Sequence, residues 1–179
     1  MPLIQPARVL LGSSGVPSLT GSGWQSFTRP NNTTAYTAGD VVSDAAGTFT
    51  PILAFPLVTR EGGGGYLVKA QLRTNSKTFL SSMRLYLFNT QAVVVAGDNV
   101  AGTQLYANLP YSVGYLDFSP LATGVGSGST AANALWTGNV EFKCAAEDTR
   151  LYGYLVDNTG STPVAFQEFA VNIAADVYG

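Results

Sequence analysis

The run from Gly65 to Thr90, GYLVKAQLRTNSKTFLSSMRLYLFNT, decides the fold class. In its first arm, Tyr66, Val68, Ala70 and Leu72 fall on one face of an extended chain, and Leu67, Lys69, Gln71 and Arg73 on the other. Side chains alternate across a strand with period two, so the arm reads as a β-strand with one buried and one wetter face. Thr74, Asn75 and Ser76 are turn residues. The second arm sets Met83, Leu85 and Leu87 against Arg84, Tyr86 and Phe88. Neither arm has the i, i+3, i+4, i+7 spacing of an amphipathic helix. The stretch therefore reads as a β-hairpin, the scaffold of an all-β domain.

Outward from this stretch, short strand candidates are separated by turn chemistry. Trp24–Arg29 is stopped by Pro30, and Ala35–Val42 leads through a Gly-Asp turn into a Val-Val strand. Residues 47–60 are apolar but interrupted by Pro51 and Pro56, which favours a bent strand over a central one. Residues 111–118, 136–145, 149–157 and 167–178 supply further strands, with a strong turn at Asp157-Asn158-Thr159-Gly160. Residues 91–110 form a longer connection with part of a short helix, and 121–133 a flexible surface loop of small residues. About eight strands without a long helix predict an antiparallel β-sandwich, jelly-roll-like in type. An immunoglobulin-like sandwich is the rival, but no cysteine pair brackets the core.

The domain division is an extended N-terminal arm over 1–23 and a single sandwich over 24–179. The arm carries an apolar run around Arg8, Val9, Leu10 and Leu11, then a Gly/Ser-rich tract that builds no core by itself. It reads either as an arm laid on a neighbouring subunit or as a first edge strand of its own sandwich.

Composition narrows function mainly by exclusion. Of 179 residues, 46% are apolar and only 11% charged, against about 25% in a typical domain. A surface so poor in charge suits a chain packed against something else. With a net charge of −2 and no basic run, nucleic-acid binding is not expected. No run approaches the length of a membrane span, and residues 1–12 lack the features of a signal peptide.

Histidine is absent, which removes the Ser-His-Asp and Cys-His catalytic arrangements and the commonest zinc ligand. The single cysteine, Cys144, shares a predicted strand face with Val140 and Phe142 and reads as a buried, inert thiol. Eleven scattered acids leave a paired-carboxylate hydrolase as a formal alternative, although Asp40, Asp98 and Asp157 sit in turns. Asp44 or the Asp98-Asn99 pair could reach calcium, but no D-x-D-x-D-G loop is present and no metal is assigned. Gly62–Gly65 precede a strand rather than a helix, so a phosphate-cradling loop is not expected. Tyr111, Tyr115, Tyr152 and Tyr154 lie on predicted strands. They are either a sugar-stacking surface or, as favoured here, core and cross-strand partners.

One run resembles a known family. Arg29-Pro30-Asn31-Asn32-Thr33-Thr34-Ala35-Tyr36-Thr37-Ala38-Gly39-Asp40-Val41-Val42 is similar to the RP-x-[DN]-T-x-A-Y-x-A-G-D-V-V stretch of tailed-bacteriophage virion proteins. There, as here, it is followed by an apolar strand, a Gly-rich turn (Gly62–Gly65), a Leu87-Phe88-Asn89-like run, an Asp98-Asn99 pair and a Val113–Phe118 strand. The resemblance covers roughly residues 24–120. It implies a non-enzymatic virion structural protein of jelly-roll type: a capsid decoration or cement protein, with a tail, baseplate or glycan-binding fibre component as the rival. It further implies the major capsid protein as partner, a homotrimer or homodimer, no cofactor, and a place on the capsid surface after assembly in the host cytoplasm. The residues expected to touch capsid or sister subunits are Leu3, Ile4, Arg8, Val9, Leu10 and Leu11 in the arm, with Tyr106, Leu109 and Tyr111 in the long connection.

Overall fold

The computed structural model describes residues 18–44, 53–102, 106–124 and 130–178. They form eleven strands and one short 3-10 helix. In chain order the strands are β1 (Ser18–Gly21), β2 (Gln25–Thr28), β3 (Asp40–Val42), β4 (Leu53–Pro56), β5 (Gly64–Thr74) and β6 (Met83–Phe88). The 3-10 helix (Tyr106–Tyr111) leads into β7 (Ser112–Phe118), β8 (Ala122–Thr123), β9 (Ala132–Lys143), β10 (Arg150–Asp157) and β11 (Glu168–Tyr178). A six-stranded sheet runs β1-β11-β5-β9-β8, with β2 also on β11. A five-stranded sheet runs β3-β10-β6-β7, with β4 also on β10. All pairings are antiparallel. The expected all-β sandwich is present, with eleven strands rather than about eight.

The opening stretch is two strands, but not a hairpin. β5 lies in the first sheet between β11 and β9, and β6 lies in the second between β10 and β7. Residues 75–82 cross from one sheet to the other, and Phe79 in the middle of this crossing is buried. Its ring meets Phe169 edge-on at 5.3 Å, so the connection is part of the core.

The face assignment of β5 also changes halfway along. Leu72, Ala70 and Leu67 are buried, whereas Tyr66 turns outward and its ring meets Tyr178 at 6.2 Å. The register shifts between Leu67 and Lys69 against β9, and opposite the same point against β11. An irregularity at Val68 thus swaps the faces of the residues before it. The four-glycine stretch is only partly loop: Gly64 and Gly65 belong to β5. A Cβ on Gly65 would collide with the Asp176 carbonyl of β11, so glycine lets the strands approach there.

Other boundaries move for similar reasons. Ser18–Gly21, placed in the arm by sequence, pairs with β11 as an edge strand. The expected loop over 121–133 is partly strand, because Ala122 and Thr123 pair with Asn133 and Ala132. Among the described residues β4 pairs only with β10, in keeping with Pro56 at its end.

The main core lies between the sheets and includes Leu67, Leu72, Leu85, Leu87, Leu116, Leu151, Phe169 and Ile173. A second, smaller cluster lies on the far side of the five-stranded sheet: Val41, Phe88, Val93, Val95, Tyr154 and Val156. Residues 89–102 fold back over that outer face to make it.

Candidate interaction surface

The cover over the outer face is held by a charge cluster. Arg29, just past the end of β2, meets Asp98 with its Nη2 donating to Oδ2 at 2.8 Å and its Nε to Oδ1 at 3.3 Å. Their side chains are 0% and 2% exposed. Asp98 Oδ1 also accepts the Tyr36 hydroxyl at 2.7 Å and the Ser43 backbone N–H at 3.1 Å. Arg29 Nη2 donates to Asn32 Oδ1 at 3.2 Å, Nη1 reaches the Val164 carbonyl at 3.4 Å, and the guanidinium lies 4.8 Å from the Tyr36 ring. Burial, reinforced by the bond to Asp98, raises the Tyr36 phenol far above its ordinary value, so it remains a donor. Next along, Asn99 takes the left-handed conformation (φ 59°) and its backbone N–H donates to the Val41 carbonyl at 2.9 Å.

Residues of the Arg29–Val42 motif and the distant Asp98-Asn99 pair therefore meet in one buried knot. A buried ion pair tolerates its desolvation only when its remaining hydrogen-bonding capacity is met, and these contacts meet it. Asp98 is engaged by a cation and two further donors, which leaves it poorly suited to calcium. Among the described residues no group of three acids or cysteines is placed to hold a metal ion.

The other turn acids have comparable local roles. Asp157 is fully buried and its carboxylate accepts N–H bonds from Thr159 and Gly160, each at 2.8 Å, and the Ser81 hydroxyl at 2.7 Å. Asp40 Oδ2 accepts the Thr37 N–H at 2.6 Å. These are the side-chain-to-backbone bonds that short acids make in turns.

Under the cover, aromatic rings step across the five-stranded sheet. Phe88 stacks on Tyr154 at 5.8 Å, Tyr154 on Tyr86 at 5.3 Å, and Tyr86 tilts against Tyr115 at 6.0 Å. Desolvation pushes the Tyr154 phenol up to about 12, with Tyr86 adding to it. Tyr152 and Tyr154 are buried, as the core assignment expected; Tyr111 and Tyr115 are exposed. At the open end of the ladder, Arg84 lies 3.9 Å from the Tyr115 ring centre and grips Asp117 at 2.6 and 2.9 Å. Cys144 is buried, and desolvation with a nearby Asp148 raises its thiol to about 11, well away from the reactive thiolate range.

The exposed apolar residues of this side lie on or beside the cover. Leu109 and Tyr111 are in the 3-10 helix and both are exposed. Tyr106 begins that helix. Val94 joins them, because the Asn108 side chain donates to the Val94 carbonyl at 3.2 Å and ties helix to cover. Val94 was missed by sequence reading, although Val93-Val94-Val95 carries the signal: outer valines buried, middle one exposed, as in a short extended segment. Leu3, Ile4, Arg8, Val9, Leu10 and Leu11 lie outside the described residues. A surface of Val94, Leu109, Tyr111 and Tyr115, with one self-paired Arg–Asp couple, suits a macromolecular contact: apolar and aromatic, with little unpaired charge.

No protein-family model matches this chain, and no curated protein matches it. Among solved structures, a structure of infectious bursal disease virus, Gt strain, is similar over 90% of this chain, with 12% identity and a TM-score of 0.19. This chain spans 42% of that one's length, and a superposition so loose carries no argument.

Proposed function

We propose that the chain is a non-enzymatic structural protein of a tailed-bacteriophage virion, a capsid decoration protein of jelly-roll type that binds the major-capsid lattice and stabilises it. The observation that carries this reading is the knot: the residues that resemble the phage pattern are separated in sequence, yet Arg29, Tyr36 and Asp98 work as one buried unit, with Asn99 bonded to Val41 beside it. The low charge of the whole chain and the exposed patch around Val94, Leu109 and Tyr111 support it further. A protein that binds assembled shell better than free subunits stabilises the shell by mass action. Repetition of the partner around capsid symmetry axes suits a homotrimer or homodimer.

The test is co-sedimentation of the purified protein with expanded empty shells, with native mass measured in parallel. Stoichiometric binding to shells is the expected result. Recovery on purified tails, with none on shells, overturns the capsid assignment in favour of a tail or fibre component. Deleting residues 2–12 is expected to lower shell occupancy while the sandwich stays folded; unchanged occupancy removes the arm from the contact. Leu109→Asp with Tyr111→Asp tests the described patch in the same assay.

A further inference from the structure

The outer face of the six-stranded sheet has no such cover among the described residues, and it carries a groove. Leu72, Thr74 and Ala134 point into the sandwich, so their neighbours Gln71, Arg73, Asn133 and Leu135 project outward. Register places Gln71 beside Leu135 and Arg73 beside Asn133. Trp24, from the β1–β2 connection, lies over this face with the Arg73 guanidinium 4.1 Å from its ring centre. Together these residues line a cleft of about 330 Å³, with Trp24 41% and Leu135 54% exposed as its two apolar sides. Arg73 also lines an adjoining cleft of about 240 Å³ that reaches Asn75, Thr130 and Glu168.

We infer that this pair of clefts binds a neutral glycan, one pyranose ring seated between Trp24 and Leu135 and the chain continuing past Arg73 toward Asn75 and Glu168. A pyranose has an apolar C–H face and a rim of hydroxyls. The first fits an exposed indole, and the second fits planar groups that both give and take hydrogen bonds, here the Gln71 and Asn133 amides with the Arg73 guanidinium. Arg73, stacked on the indole, holds it in place. The volume sits near the lower end of ligand clefts, about 300 Å³ upward, as suits one or two sugar rings rather than a folded partner. Other ligand classes fit less well. A phosphate needs clustered cations, and here a single arginine is balanced by Glu168. An added peptide strand needs a free sheet edge, and this is a sheet face. Such a groove functions equally on a capsid, on a tail or on neither.

The experiment uses the full chain carrying Trp136→Phe, so that Trp24 is the only indole, titrated with maltohexaose, cellohexaose and chitohexaose while tryptophan emission is read. At least one is expected to give a saturable blue shift with a dissociation constant of roughly 1 mM or tighter. In the otherwise natural chain, calorimetry with the same sugar is expected to show binding lost in Trp24→Ala and weakened about tenfold in Gln71→Ala, with thermal midpoints little changed. No response from any of the three up to about 10 mM overturns the inference, as does binding that survives Trp24→Ala. Tighter binding to an oligogalacturonate than to every neutral sugar overturns the choice of a neutral ligand. None of these outcomes depends on shell binding.

Discussion

The two outer faces of this sandwich are finished in opposite ways. Outside the five-stranded sheet, residues 89–102 fold back and bury a second apolar cluster against Phe88, Tyr154 and Val156. Outside the six-stranded sheet, Trp24, Gln71 and Leu135 stand open with no comparable cover among the described residues. The first face is therefore part of the folding energetics, and its own outer layer becomes the surface. The second has no such outer cluster among the described residues. Each face has an arginine against an aromatic ring, but Arg29 is sealed with Asp98 while Arg73 remains at the rim of a cleft.

The strongest way to break the contrast is Arg29→Ala, which strands Asp98 in the interior. A loss of about 3–5 kcal/mol is expected in urea unfolding, the cost of an uncompensated buried charge. A loss below 1 kcal/mol would mean that the knot does not hold the cover.

Alkali gives the next effect. Tyr154 has its pKa raised from 10 to about 12, so its contribution is fully present below pH 10 and lost as pH rises through about 12. Two pKa units correspond to a loss on the order of 2–3 kcal/mol between those limits. Cys144, raised to about 11, loses its contribution in the window from 9 to 11. Denaturant midpoints measured against pH should fall through this range, and Tyr154→Phe should make the fall above pH 10 less steep, with the raised Tyr36 phenol supplying the slope that remains. With no histidine in the chain, the same curve should be nearly level from pH 6 to 8.

Val93→Ala removes two buried carbon groups from the small cluster and is expected to cost about 2 kcal/mol. It should also raise hydrogen exchange across residues 89–102 more than anywhere else.

Arg84→Ala tests the exposed counterpart of the buried pair. Its side chain is 29% exposed and that of Asp117 is 50% exposed. Screening by water should hold the loss below about 1 kcal/mol, despite bond lengths as short as those of the buried pair. Leu135→Ser, on the open face, should change stability by no more than about 0.5 kcal/mol.

How far the sequence could be read follows the same division. Alternation in β6 is a local property, and Met83, Leu85 and Leu87 are buried as expected. Partner choice is not local. β5 and β6 look like the arms of one hairpin because alternation marks a strand without saying which sheet it joins. The warning was in the connection: eight residues carrying the apolar pair Phe79-Leu80 are too long for a tight turn. The irregularity at Val68 left no composition signal, so Tyr66 and Leu67 exchanged faces unannounced.

For the candidate surface, Leu109 and Tyr111 are exposed, and the four tyrosines read as core and cross-strand partners divided. Tyr152 is buried with its hydroxyl on Asp148, Tyr111 and Tyr115 are exposed, and Tyr154 is buried against Val93 and Val95. That depends on where residues 89–102 come to rest. Asp98 looked like a turn acid because its partner, Arg29, is remote in sequence.

The position of β11 has a consequence for synthesis. This last strand sits inside the six-stranded sheet, with β5 on one side and β1 and β2 on the other. As the chain leaves the ribosome, β1 and β2 emerge early but have no partner until residues 168–178 follow. Sheet closure thus waits on β11, and the pairing groups of β1 and β2 stay unpaired while the residues between Thr28 and Glu168 are made. At elongation rates of about 5–20 residues per second the exposure lasts on the order of ten seconds, long enough for chaperone capture or for pairing with a neighbouring nascent chain. Losing residues 168–178 would leave two orphaned edges at once, so a chain cut short before β11 should be insoluble rather than a shortened domain.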